Sequence, residues 1–410
     1  MKLLLIVAAT TLSSPLAAKT IAVAAGPDAH NRLQTALIDA QPGDTVQMGA
    51  GRFELGDGLS LDVSNVTLAG AGPGKTILSF DGQKGEAEGL LVTSNNVVMR
   101  GFAVENAKGN GIKSKGSDGI SFVDLRVEWT HGPKATNGAY GVYPVASKNV
   151  LIDRVFVRGA SDAGIYVGQS ANIVVQHSRA EGNVAGIEIE NSWNADVHDN
   201  VATKNAGGIL VFDLPNLPQM GGHSVRIYRN EIVANDTPNF ASPGNIVAQV
   251  PTGTGVMVMA NRDVHVFDNH IDGNGSAAVM LVSYRAKFTD KNYNPLPRDV
   301  VVAGNRIGRN GFAVTFPGGK ELAAALGGTL PPVMWDGVTQ FTVPGGALVA
   351  APVRMRIADG PVVNLNLVTQ GSEMSAAKPT VVAGIGTDTQ LAQPAAVVLP
   401  PAQLGLVAAR

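Results

Sequence analysis

The sequence predicts an all-β fold: a single-stranded, right-handed parallel β-helix of about ten coils with three short strands each, closed by an N-terminal capping helix and a C-terminal cap and tail. Three observations predict it. Gly makes up 49 of 410 residues, about 12% against a usual ~7%. Apolar residues recur in fixed columns along the chain. A second element, Gly-apolar-x-apolar, recurs between those columns.

The columns start from a polar residue or Gly. These anchors are Asn65, Asn96, Gly119, Asn149, Asn172, Asn194, Ser224, Asp263 and Asp299. One residue on stand Val66, Val97, Ile120, Val150, Ile173, Ala195, Val225, Val264 and Val300; three on stand Leu68, Met99, Phe122, Ile152, Val175, Val197, Ile227, Val266 and Val302. The second element reads Gly111-Ile112, Gly141-Val142, Gly164-Ile165, Gly186-Ile187, Gly208-Ile209 and Gly255-Val256. The shortest spacings, 22–23 residues, suit three short strands with period-2 alternation and three bends. Helical solenoids need units of ~33–47 residues. Stacked coils place equivalent residues about 4.8 Å apart.

Polar residues also fall into columns. Asn200, Asn230, Asn269 and Asn305 suit tight left-handed bends and an amide ladder. Ser147, Ser170 and Ser192 make a second stack. Asp124, Arg154, His177, Asp199, Arg229 and Asp268 form a charged column, which reads as a structural ladder rather than a catalytic cluster.

The ends are less regular. Residues 1–18 read as a secretory signal: Met1-Lys2, an apolar run Leu3–Leu12, and a small-residue exit with cleavage expected after Ala18. The run is short for a bilayer span, so the expected location is periplasmic or secreted, with no membrane contact after cleavage. Residues 19–45 form an N-terminal cap, with Leu33, Ala36, Leu37 and Ala40 on one helix face. The β-helix occupies 46–316. Residues 317–410 form a C-terminal cap and less regular tail, in which 353–357 and 363–367 still alternate like strands.

Composition excludes several functions. With no Cys, there is no disulfide framework, thiolate metal site or cysteine nucleophile. A net charge of -2 gives no footprint for nucleic acid. The run Ala69–Thr76 imitates a phosphate-binding loop, but an alternating Ile77-Leu78-Ser79-Phe80 follows it where a helix is required. No cofactor is expected. No His or Asp cluster signals a metal, and Ca2+, which such a fold can carry, has no sequence signature.

Insertions at 129–137 and 234–253 precede the Gly-apolar strand of their coils; those at 213–223 and 284–298 follow it. Loops flanking one strand face make its outward residues a groove floor. That floor presents Lys113, Tyr143, Tyr166 and Glu188 on successive coils, then Leu210 and Met257. A companion column holds Lys115, Val145, Gly168, Glu190, Phe212 and Met259. Lys113, Tyr143, Tyr166 and Glu188 are the candidate catalytic residues. Lys115, His131, Glu190, Asp213 and His223 are the candidate substrate-binding residues. Each has a structural reading beside it. The tyrosines could only stack on each other. Glu188 and Glu190, at a spacing that suits an acid pair, read more readily as a solvated edge, and His131 and His223 as exposed loop residues. The apolar Leu210, Phe212, Met257 and Met259 suit either a protein partner or packing beneath the 234–253 loop.

The column pattern over about residues 44–316 resembles exported carbohydrate-active parallel β-helix proteins, which include pectate lyases, alginate lyases and epimerases. More closely, Gly138–Pro144 (GAYGVYP), Ala160–Ser170 (ASDAGIYVGQS), Glu181–Ser192 (EGNVAGIEIENS) and Gly207–Gly222 (GGILVFDLPNLPQMGG) resemble bacterial parallel β-helix repeat-containing proteins. That resemblance implies an exported protein, often encoded beside a second exported protein, and supplies no catalytic residues. The Asp-rich signatures of polygalacturonase-like hydrolases and the Asp-Pro-His-Asp run of alginate epimerases are absent. The expected function is binding or processing of a polysaccharide, or another extended glycan, in the groove. If catalytic, it would be lyase- or epimerase-like: Lys113 or Lys115 neutralises a uronate, and Tyr143 or Tyr166, its phenol pKa lowered by a neighbouring cation, takes the proton. The alternative is a non-catalytic scaffold in an exported complex, docking a protein partner on the apolar patch.

Overall fold

A computed structural model describes residues 18–85 and 88–408. The signal segment therefore lies outside the described residues, Ala18 excepted. The chain winds as a parallel β-helix. Among the described residues, one nineteen-stranded sheet covers two faces of the coil and a twelve-stranded sheet covers the third. The first two faces merge where Val97–Glu105, Asp118–Glu128 and Lys148–Arg158 each run through both.

The expected columns are the core. Val97, Ile120, Val150, Ile173, Val225 and Val264 are fully buried, as are Met99, Phe122, Ile152, Val175, Ile227 and Val266. The anchors are the bends before these strands. Asn65, Asn96, Asn149, Asn172, Asn194, Ser224, Asp263 and Asp299 all adopt left-handed φ between 51° and 60°, which Asn and Asp tolerate best. The charged column is a second left-handed bend, with φ from 50° at His177 to 55° at Asp199. Arg229 pairs there with Asp199 at 2.6 Å, so the structural reading holds.

Amide ladders fix the coil register. Asn200 Nδ2 donates to Asn230 Oδ1 at 3.0 Å, Asn230 to Asn269 at 2.9 Å, and Asn269 to Asn305 at 2.9 Å. A further ladder, not expected from sequence, runs Asn183–Asn205–Asn235–Asn274–Asn310 at 3.0–3.1 Å per rung. It stands at the bend before the third face. Just beyond it, Gly186 and Gly208 stack, because a Cβ on either would lie 2.6 Å from the next coil's carbonyl oxygen.

Helix Ala29–Asp39 buries Ala29, Leu33, Ala36 and Leu37 against the first coil. Ahead of it, Thr20–Val23 already pairs in parallel with Thr45–Met48. The stack also continues past residue 316. Val333–Trp335 and Val362–Asn364 extend the third face, and Met355–Ile357 extends the first. Thr380–Val382 then closes the third sheet antiparallel. The chain's last part returns along the outside of the first face. There Leu399 is buried on Val123, Leu151 and Val174, and Gln403 Nε2 donates to Ile120 O, Ser121 Oγ and Asn149 O. The imitation phosphate loop is a turn between strands Thr67–Ala69 and Thr76–Ser79, with no helix after it. No helix among the described residues is long and apolar enough to cross a membrane.

Candidate active site

Strand register builds the site. On the third face, Lys113 pairs with Tyr143, Val142 with Ile165, Tyr166 with Glu188, and Glu188 with Leu210. The expected row Lys113–Tyr143–Tyr166–Glu188 is therefore present on successive coils. Glu190 lies beside it, in register with Gly168 and Phe212.

The face is not a solvated edge. Glu188 is 2% exposed, Glu190 8% and Tyr166 4%. Segment 234–253 folds over it. Val250 packs against Leu210 and Gly207, and Asn245 Nδ2 donates to Asp162 Oδ2 at 3.2 Å. The solvated reading of Glu188 and Glu190 fails because an insertion expected only to wall the groove roofs it. The apolar patch is covered in the same way: Leu210, Phe212, Met257 and Met259 are all buried. It is not an open surface for a protein partner.

Two residues join the site that alternation did not single out. Tyr140 lies 4.6 Å from the Tyr143 ring and 4.3 Å from Tyr166, and Tyr143 and Tyr166 meet edge-on at 5.0 Å. Asp162 is 7% exposed. Both stand at the corner that leads into their strands, where period-2 alternation lapses. The only sequence signal for Asp162 was its place inside the run 160–170.

Electrostatics set the chemistry. Burial, then the charges of Asp162 and Glu190, push the Glu188 carboxyl well above its ordinary range. Its Oε2 is buried with no hydrogen-bond partner among the described residues. Burial raises Glu190 to about 7, although Tyr166 O–H donates to its Oε1 at 2.6 Å. Burial and then Glu190 raise Asp162 to about 7. Asp213 sits just past the face, where Gly221 and Gly222 N–H groups donate to it; burial outweighs them and lifts it to about 6.

Arg298 and Arg262 draw Asp213 down, but among the described residues no cation offsets Asp162, Glu188 or Glu190. Lys113 Nζ lies 5.1 Å from the Tyr143 ring but is paired at 2.8 Å with Glu88. Burial favours a protonated Glu88, yet the Lys113 contact, together with the Glu88 backbone N–H and Asn110, more than offsets it and holds Glu88 below its usual value. Lys115 is exposed and in register with Val145, away from the acids. The tyrosines therefore move opposite to the cation argument: burial and then carboxylates raise all three phenols.

Two expected residues are not brought to this face. His131 is exposed and turns to Asp81, at 3.5 Å. His223 starts the first-face strand His223–Tyr228, stacks on Trp193 at 5.7 Å and has its pKa lowered by burial. Among the described residues no group of three or more His, Asp or Glu is placed to hold a metal ion.

The fold, and the position of these strands in it, match known architecture. Residues 88–237 match the family described as right handed beta helix region. That segment is a right-handed β-helix, and it contains Tyr140, Asp162, Tyr166, Glu188, Glu190 and Asp213. No curated protein matches the chain. Among solved structures, a DFA-IIIase from Arthrobacter chlorophenolicus superposes with a TM-score of 0.50 at 12% identity, over 78% of this chain and 95% of that one. A GH136 lacto-N-biosidase from Eubacterium ramulus does so with a TM-score of 0.50 at 13% identity, over 73% and 68%. The mannuronan C-5 epimerase A-module of Azotobacter vinelandii gives 0.49 at 17% identity, over 77% and 91%. At these identities the likeness is one of fold.

Proposed function

We propose that the chain is a carbohydrate-processing β-helix protein whose third face cleaves a glycosidic bond in a neutral glycan by acid–base catalysis. The carrying observation is Glu188: a buried carboxyl between two further buried acids, its Oε2 with no hydrogen-bond partner and no free cation beside it among the described residues. Such a group holds its proton at neutral pH and can donate it. In the proposed step Glu188 gives its proton to the glycosidic oxygen, the bond from that oxygen to the anomeric carbon breaks, and a water attacks that carbon. Glu190 takes the water's proton. Tyr166, bonded to Glu190 Oε1, fixes that carboxylate's orientation. Asp162 keeps the Glu188 proton in place by its charge. Tyr140 and Tyr143, both half-buried beside the cluster, would offer ring faces to a sugar.

This reading departs from the lyase or epimerase expectation for a physical reason. A uronate needs a free cation and a base of low enough pKa. Lys113 is engaged by Glu88, and the phenols are raised. An anionic sugar would be repelled by whatever charge Asp162 and Glu190 carry. The scaffold alternative loses its motive once the apolar patch is covered. Export to the periplasm or medium remains part of the proposal, on the strength of residues 1–18; N-terminal sequencing of the mature protein, beginning at Lys19, checks it.

The test is reducing-end release from a panel of neutral oligosaccharides and polymers, run beside an unsaturated-uronate absorbance assay. The wild type releases reducing ends. Glu188→Gln loses about 10²–10⁴-fold, the range for a general acid. Unsaturated products from an acidic polymer, or full activity in Glu188→Gln, would overturn the assignment.

A further inference from the structure

Farther along the same face the site changes character. Past Phe212, which is in register with Glu190, the floor becomes Met257, Met259, Met280 and Met334. These residues, with Met374 opposite, line a cavity of about 660 Å³. Five of the chain's ten methionines surround this one space. Its size falls within the ~300–1,000 Å³ of small-molecule sites, and Met walls adapt to flexible apolar ligands.

Several of the polar groups in its wall are already bonded. Asp336 accepts from Ser283 N at 2.6 Å, Ser283 Oγ at 2.7 Å and Val338 N at 3.1 Å. Asn239 Nδ2 donates to Val247 O and Val250 O, both at 2.9 Å. Thr315 Oγ1 donates to Thr252 O at 3.0 Å. At those groups a sugar would find little unspent hydrogen bonding; a hydrocarbon needs none. The rim is cationic. Arg285 lines it with 46% of its side chain exposed, held by a bond to Ser372 O at 3.1 Å and only 3.9 Å from Glu373, and the exposed Lys287 follows.

We propose that this cavity binds a single-chain anionic amphiphile of fatty-acid type, its alkyl chain among the methionines and its carboxylate at Arg285. Charge at the rim and the methionine wall within select that occupant over a neutral glycan or a protein segment. The site stands on its own geometry and does not depend on the acid face being catalytic.

The experiment titrates the full chain with the fluorescent fatty acid cis-parinaric acid, then displaces it with dodecanoate or dodecanol. Saturable fluorescence with one site per chain is expected, displaced better by dodecanoate. Val282→Phe projects into the cavity, and Ala286→Trp closes the exposed rim without touching the core. Each weakens probe binding by at least about tenfold with an unchanged melting curve. Arg285→Gln removes the preference for dodecanoate over dodecanol. No saturable binding by the wild type overturns the proposal. So does wild-type binding in both Val282→Phe and Ala286→Trp, or a dodecanoate preference that survives Arg285→Gln. Glycan cleavage is not read here, so failure would leave the acid-face reading standing.

Discussion

Glu190→Gln should make the protein less sensitive to alkaline pH. Burial carries the Glu190 carboxyl from an ordinary 4.5 to about 7. That is about 2.5 pH units, or roughly 3 kcal/mol of preference for the protonated form in the folded state. Because the folded value is the higher one, this stability is fully present below the unfolded pKa and is lost as pH rises through about 7. For a chain of this length, at ~2.1 cal/mol/K of unfolding entropy per residue, it amounts to about 4 °C in Tm. Glutamine keeps an acceptor for the Tyr166 hydroxyl, whose bond to Glu190 Oε1 is 2.6 Å, and removes the titration. It also removes the Glu190 charge that raises Asp162 and Glu188.

The measurement is thermal melting by circular dichroism from about pH 5 to about pH 8 at constant ionic strength. His198, His223 and His265 have pKa values lowered by burial. Their contribution has the opposite sign, present at high pH and lost as pH falls. They are the same in both proteins and cancel in the difference between the two curves. That difference should widen by about 4 °C, in favour of Glu190→Gln, toward alkaline pH. If wild type and variant lose equal stability across the range, Glu190 titrates as a solvated glutamate and the acid–base reading has no foundation.

For glycan cleavage, kcat/KM should rise through about pH 7 as Glu190 ionises and fall at higher pH as Glu188 loses its proton; Glu190→Gln should remove the lower limb from whatever activity survives. Asn230→Ala breaks the ladder between Asn200 and Asn269 and leaves Val197 O without its amide donor, costing at least about 2 kcal/mol in denaturant unfolding. Leu399→Ala removes the buried contact of the returning tail on Val123, Leu151 and Val174, and should cost about 2–3 kcal/mol while leaving the acid face intact, read as a lower Tm with unchanged activity.

The coil was legible because the inside of a β-helix imposes period-2 alternation and left-handed bends on every turn. Asn149, Asn172 and Asn194 announce their bends, and Ile173 and Val175 their inward positions. Alternation also placed Tyr143, Tyr166, Glu188 and Glu190 on one outer face. It could not say what covers that face. The cover comes from Asn245, Val247 and Val250, in an insertion with no period of its own. Burial then inverted the meaning of the same residues: a solvated pair became buried acids, and activated tyrosines became phenols with raised pKa. The second amide ladder was missed for another reason. Asn183, Asn205, Asn235, Asn274 and Asn310 align with each other, but at a bend displaced from the anchor columns.

That second ladder bears on why the acid face can exist. Asn183 and Asn205 stand two residues before the strands Ala185–Glu190 and Gly207–Phe212, and their amides bond at 3.1 Å. Asn183 Nδ2 also reaches Val157 O, and Asn205 Nδ2 reaches Ala180 O at 3.0 Å. The coils carrying Tyr166, Glu188 and Glu190 are thereby locked in register just where their strands begin. Glu188 and Glu190 share one strand, so they cannot slide apart. Asp162 is held at the corner by Asn245. Burial is the first reason these carboxyls hold protons; with movement denied and no cation within the cluster among the described residues, repulsion between Asp162, Glu188 and Glu190 adds to it. A rigid ladder on one side of the bend thus keeps buried carboxyls crowded together on the other, where burial and repulsion both favour the protonated form that a proton donor needs.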